Sequence, residues 1–276
     1  MAEGKQLIIP AIKPKHRLGQ HFLSNLETQK KIVEYANLMQ SDTVLEVGPG
    51  LGALTSLIAM KAGKVIAVEK DYELVAFLKK KFADNDRVSV IEGDVLKIGL
   101  PQFNKVVSTP PYNISSKLLF LLLKKEFDLA VTTFQKEFAE RLVAKVGSNS
   151  YGRLSVAIRH RAKVEILDFI PRQSFQPPPR VDSLVVRISL KEPARHLLNE
   201  NLFNDLVRGL FNQRRRKLRS AFLHYLEKAQ IADPKSVLPR ITLPEKRVYQ
   251  TTVEEFEDLS NQLHLHLQSP KNSRGL

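Results

Sequence analysis

Three glycines placed directly after a short apolar run constrain this chain more than any other feature. In Glu46-Val47-Gly48-Pro49-Gly50-Leu51-Gly52, strand-like residues from Thr43 stop in a turn, and helical content resumes over 51–60. Glycine turns sharply and lets a ligand approach the backbone, and the following helix opens with free N–H groups. About sixty residues later, Thr109-Pro110-Pro111-Tyr112 ends a second apolar run, 105–108.

Strand-like and helix-like stretches alternate around these turns. Residues 43–47, 65–69, 88–91, 105–108 and 127–134 read as strands. Residues 26–38, with Asn25 as N-cap, and 51–60, 72–82, 114–123 and 136–146 read as helices. The strands do not alternate strictly, as expected where both faces of a parallel sheet are covered. Residues 153–160 read as a helix, and 164–169 and 183–190 as further strands. Phe175-Gln176-Pro177-Pro178-Pro179 between these strands reads as a long rigid loop, because prolines do not fit a central strand. Beyond Lys191-Glu192-Pro193 only helices are expected, over 203–225 and 253–264. The expected organisation is an α/β domain over 1–190 and a small helical domain over 191–276.

The formal net charge of +14 and a pI near 9.9 favour polyanionic partners. The absence of cysteine excludes disulfides and thiolate zinc sites, and no metal site is expected. No run of 18 apolar residues is present, so no membrane span is expected. The first sixteen residues lack a secretory apolar core and carry Lys5, Lys13, Lys15 and His16. They read as a loose basic arm on a cytoplasmic protein.

Carboxylates at strand ends point to a nucleoside cofactor. Glu69 lies 21 residues past Gly48 and suits ribose hydroxyls, and Asp94 suits an adenine amine. Gly48, Gly50 and Ala53 also satisfy a dinucleotide pattern, so an NAD enzyme is an alternative. Glu46 adds negative charge beside the turn. That disfavours a pyrophosphate and suits the cationic sulfonium of S-adenosylmethionine. At the second turn, stiff prolines aim backbone carbonyls. The Pro110 carbonyl and Thr109 hydroxyl can accept from an exocyclic amine, and Tyr112 offers a stacking face. Acceptors on both amine hydrogens hold nitrogen closer to tetrahedral, which eases attack on a methyl donor. Together the turns imply methyl transfer to a flipped or unpaired base held by Tyr112 and Phe175. Arg208, Arg214, Arg215, Arg216, Lys217 and Arg219 supply a basic stretch for phosphates, with Arg215 and Arg219 expected on one helix face.

Several motifs together closely resemble one family. They are Leu18-Gly19-Gln20-His21-Phe22-Leu23, Glu46 to Gly52, Glu69-Lys70, Gly93-Asp94, Tyr112-Asn113-Ile114-Ser115-Ser116, Gln135-Lys136-Glu137, Tyr151-Gly152-Arg153-Leu154-Ser155 and Phe175 through Ser183. The family is the ribosomal RNA small-subunit adenine dimethyltransferases, which include the bacterial kasugamycin-sensitivity enzyme and the Dim1 proteins. The archaeal and eukaryotic Dim1 branch is the expected one. The resemblance runs from about residue 15 to 190.

It implies a Rossmann-like class I S-adenosylmethionine-dependent methyltransferase fold. The implied activity is N6,N6-dimethylation of two adjacent adenosines in the loop of the last helix of small-subunit ribosomal RNA. The implied partner is the immature small subunit, met by a monomer in the cytoplasm, or in the nucleolus of a eukaryote. Gln20, His21 and Leu23 would line the methionine end of the cofactor, with Gly48 and Gly50 beneath it. Glu69 would hold the ribose and Asp94 the adenine, with Lys70 and Val95 also cofactor-binding. Thr109, Pro110 and Tyr112 would grip the target base, with Thr109 also meeting the cofactor and Phe175 behind the base. The family usually carries asparagine where Thr109 stands, and some relatives carry it where His21 stands; His21 reads as a polar wall. The same scaffold could serve a weakly catalytic or non-catalytic assembly factor, or an adenine methylase of large-subunit RNA or DNA.

Overall fold

The apolar runs become strands whose side chains are buried on both faces. Val44, Leu45, Val65, Ala67, Val106 and Val107 are all 1% exposed or less, which is why these strands read as continuous apolar stretches. The computed structural model describes residues 14–191, 196–231 and 233–268. A short strand β1 (Phe22–Leu23) precedes helix α1 (Leu26–Tyr35). Then come β2 (Thr43–Val47), α2 (Ala53–Ala59), β3 (Lys64–Glu69), α3 (Tyr72–Lys81), β4 (Val88–Glu92) and β5 (Lys105–Ser108). After α4 (Ser115–Leu122), β6 (Leu129–Gln135) leads into α5 (Lys136–Leu142) and α6 (Arg153–Arg161). The strands β7 (Ala162–Ile170), β8 (Phe175–Gln176) and β9 (Ser183–Leu190) follow. The chain then continues through α7 (Glu200–Phe211), α8 (Leu218–Lys228), α9 (Pro234–Val237) and α10 (Val253–Gln268). Asn25 caps α1 as expected, its side chain accepting from the Thr28 N–H at 2.9 Å.

Seven strands form one sheet in the order β4-β3-β2-β5-β6-β9-β7. Strands β2 to β6 pair in parallel, and β9 runs antiparallel to β6. The winding reverses between β2 and β5. The loops leaving these two strands diverge there and open a crevice, the usual ligand position of an open α/β sheet. Ser108 ties the two strand ends together: its hydroxyl donates to the Val47 carbonyl at 2.7 Å and accepts the Val47 N–H at 3.3 Å.

The chain forms two compact units. One holds the described residues up to Ala139 together with Val164–Leu190, and the other holds Glu140–Lys163 together with the described residues from Lys191 onward. The expectation of a single boundary at 190 differs from this division over 140–163. Ala144, Tyr151 and Val156 of that segment pack into the same core as Phe203, Leu210, Phe222 and Phe256.

Three expectations are corrected. The helix expected over 203–225 is broken at 212–217. Backbone there bonds to 246–249 instead: Leu218 N–H to the Lys246 carbonyl at 2.8 Å, Val248 to Arg216 at 3.1 Å and Tyr249 to Arg214 at 3.1 Å. Arg215 therefore shares no helix face with Arg219. The loop expected at 175–179 begins as a strand, with Phe175 and Gln176 pairing antiparallel to Leu23 and Phe22. Lys5 and Lys13 of the basic arm lie outside the described residues; Lys15 is held rather than loose, its ammonium 2.6 Å from Asp71.

Candidate active site

The glycine turn leaves β2 with left-handed backbone at Gly48 (φ 69°) and Gly50 (φ 58°). A Cβ on Gly48 would meet Pro111 at 3.0 Å, and one on Gly50 would come within 2.8 Å of the Phe22 ring. Both positions thus need glycine for conformation and for space. The turn floors a cleft that opens to solvent.

Eleven of the residues expected from sequence line this cleft: Gln20, His21, Gly48, Gly50, Glu69, Lys70, Asp94, Val95, Thr109, Pro110 and Tyr112, and Phe175 joins them as the twelfth. Leu23 does not; it is buried and faces an adjoining recess that shares His21, Phe22, Gly48, Gly50 and Thr109 with the cleft. Glu46 is also absent from the lining. Its carboxyl is 1% exposed, and burial pushes it up to about 8. It is protonated at neutral pH, so the expected negative charge beside the sulfonium is not supplied by this residue.

Glu69 is anchored by backbone. One carboxylate oxygen accepts N–H groups of Lys70 at 2.8 Å and Asp71 at 2.9 Å, and the other accepts from Gly50 at 3.4 Å. Burial still raises its proton affinity above the ordinary carboxylate value. Asp94 differs. A hydrogen bond from Lys70 Nζ at 3.0 Å holds its carboxyl below the usual range, and the Leu96 N–H adds a second at 3.1 Å. The two acids reach the cleft from adjacent strand ends, one by backbone cradling and one by a lysine.

The clamp past β5 is aromatic. The Tyr112 hydroxyl pairs with Ser183 Oγ at 2.5 Å. Burial pushes the phenol up to about 12, so it remains protonated at neutral pH. The His21 ring stacks on Tyr112 at 6.0 Å between centroids, and Phe175 meets it edge-on at 6.3 Å. His21 Nδ1 lies 2.8 Å from the Pro177 carbonyl, which can only accept, so Nδ1 carries the proton. The expected side chains converge. Two that reasoning from sequence passed over, Asp71 and Ser183, hold them in place. The acid–aromatic–acid run Asp71-Tyr72-Glu73 at a helix start was the available signal for Asp71.

Among the described residues no group of acids and histidines could hold a metal ion. No helix among them is long and apolar enough to cross a membrane.

Comparison with known proteins gives concordant matches. The family model for ribosomal RNA adenine dimethylase matches residues 11–264. A probable ribosomal RNA small subunit methyltransferase A of Thermococcus gammatolerans is 43% identical, the match covering 96% of this chain and 95% of that one. The protein of the same description from Methanococcoides burtonii is 42% identical over 88% and 90% of the two chains. The crystal structure of a dimethyladenosine transferase from Plasmodium falciparum superposes with a TM-score of 0.77 at 33% identity, covering 90% of this chain and 97% of that one. The 23S rRNA methyltransferase ErmE gives a TM-score of 0.67 at 25% identity over 88% and 99%. The sheet and helices are those of a class I S-adenosylmethionine-dependent methyltransferase.

Proposed function

The chain belongs to the ribosomal RNA adenine dimethylase family, and from that premise we propose that it dimethylates N6 of two adjacent adenosines near the 3′ end of small-subunit ribosomal RNA. One observation carries this reading. Two carboxylates suited to a nucleoside and an acceptor-lined aromatic clamp face one cleft at the β2–β5 crevice.

The residues present fit S-adenosylmethionine. Glu69, fixed by three N–H groups, presents oxygen lone pairs to a ribose diol. Asp94 would accept from the adenine amine, and the buried Val95 would pack on its ring. Gly48 and Gly50 leave the space that any larger residue would fill. His21 and the backbone at Gln20 flank the methionine end. Bound there, the cofactor supplies an electrophilic methyl on a cationic sulfur.

The chain's own residues prepare the nucleophile. A flipped adenine stacks against Tyr112, with Phe175 behind it. The Thr109 hydroxyl and Pro110 carbonyl accept the two N6 hydrogens. That draws the nitrogen lone pair out of conjugation and aims it across the cleft. No strong base is required, because alkylation makes the remaining N6 proton very acidic. Tyr112, protonated and committed to Ser183, works by stacking rather than by proton transfer. Exposed Arg215, Arg216 and Arg219 in the second unit extend the contact to RNA backbone.

Purified protein incubated with methyl-labelled S-adenosylmethionine and unmethylated small subunits tests the proposal. Label recovered as N6,N6-dimethyladenosine at two adjacent positions is expected. Label on large-subunit RNA, or none on any RNA, would replace it with one of the other two uses of the scaffold.

A further inference from the structure

One wall of the cleft is the stretch Arg17 to His21. Apart from one 3-10 turn, His16–Leu18, no regular element holds it. What fixes it is Asp71. This carboxylate, whose side chain is fully buried, accepts Lys15 Nζ at 2.6 Å and Gln20 Nε2 at 2.9 Å. Gln20 Oε1 in turn accepts the Lys15 N–H at 2.7 Å, which closes a ring through both ends of the stretch. The Lys15 ammonium also reaches Glu73 at 3.3 Å and lies 4.9 Å above the Tyr72 ring. Burial opposes ionisation of Asp71, but hydrogen bonds from Lys15 and Gln20 outweigh it and hold the carboxyl below the ordinary range.

Asp71 has a second attachment. Its own N–H donates to Glu69 at 2.9 Å, and its side chain caps α3. The ribose-side carboxylate and the wall opposite therefore hang on one residue. The Gln20 amide spends one N–H and one oxygen lone pair on this ring and still lines the cleft. Gly19, with left-handed φ of 68°, makes the turn between latch and cleft, where a Cβ would press on Asn113 at 3.3 Å.

We propose that Lys15 and Asp71, joined through Gln20, are positioning residues that latch residues 14–20 over the cofactor and set the rate at which spent cofactor leaves. The latch rests on the cofactor reading of the cleft. Each methyl transfer consumes one cofactor, so the wall must open between transfers. Opening breaks a charged pair of which one member is buried, so the closed form is favoured.

The test is the dissociation rate of tritiated S-adenosylhomocysteine, the spent cofactor, from the full-length protein, followed by chase with unlabelled ligand. Lys15→Met should speed release about tenfold, and Lys15→Arg should restore it. Asp71→Asn keeps a capping oxygen for α3 and should speed release similarly. The double variant should be no faster than either single one, because both remove the same contact. Release from the wild type should quicken with added salt; release from Lys15→Met should not. A release rate in Lys15→Met and Asp71→Asn equal to wild type would overturn the latch and leave the cofactor site standing. A wild-type protein that retains no label would overturn both.

Discussion

Glu46 stands one residue from the glycine turn, and its protonation links the turn to pH. In the unfolded chain it ionises near 4.5, whereas in the folded protein burial pushes it up to about 8. Folding therefore takes up a proton between these values. Stability from this group is lost as pH rises from about 5 to 8, by at most ~1.4 kcal/mol per unit. Glu46→Gln keeps the shape without the titration. Urea unfolding at pH 5, 6, 7 and 8 should show a flatter pH slope for the variant; identical slopes would mean that Glu46 is ionised in the folded state. Thr109 is the other informative residue. Thr109→Ala removes one of two acceptors for the amine, and single-turnover methyl transfer should fall about ten- to a hundredfold. Equilibrium binding of the cofactor should change far less. Normal transfer by this variant would remove Thr109 from the clamp.

The break between α7 and α8 is where tertiary contacts override local preference. Arg214 sits in it and donates to the carbonyls of Ser148 at 3.1 Å, Asn149 at 3.0 Å and Tyr151 at 3.0 Å. It also lies over the Tyr249 ring at 5.6 Å. Its neighbours Arg215, Arg216 and Lys217 are exposed. Arg214→Ala should destabilise the protein by about 2 kcal/mol, because three carbonyls lose a charged donor; chemical denaturation of the full chain measures it. A variant as stable as wild type would assign Arg214 to the RNA-facing set instead.

The sequence made no distinction among these arginines, since the carbonyls that set Arg214 apart lie 63 to 66 residues away along the chain. Strands 43–47, 105–108 and 183–190 were legible to the residue, because two-sided burial writes an unbroken apolar run bounded by turn residues. Strands β1 and β8, at two residues each, are too short to write any period. The same divide holds at the site. Glu69, Asp94, Thr109 and Tyr112 follow strand ends and could be read locally. The roles of Asp71 and Ser183 could not, even though a helix-start run marked Asp71, since the side chains they hold, Lys15 and Tyr112, are 56 and 71 residues distant.

The whole molecule carries a formal charge of +14. Attraction of that kind acts at a distance and weakens with added salt, which screens the field and lowers the gain from releasing counterions on binding. Reversing Arg215 and Arg216 to glutamate should weaken binding to unmethylated small subunits and shallow the dependence of log affinity on log salt. Binding measured from 50 to 300 mM potassium chloride checks this; coincident lines for variant and wild type would take both side chains out of the RNA footprint. The order of the sheet has a different reach. Because β9 inserts between β6 and β7, the seventh strand in line is made before the sixth. As the polypeptide leaves the ribosome, β7 emerges with no neighbour to join and waits until residue 190 is clear of the exit. A message truncated anywhere between 170 and 183 would release a chain whose β7 has nowhere to dock, and such a fragment should meet the cell's proteases rather than its substrate.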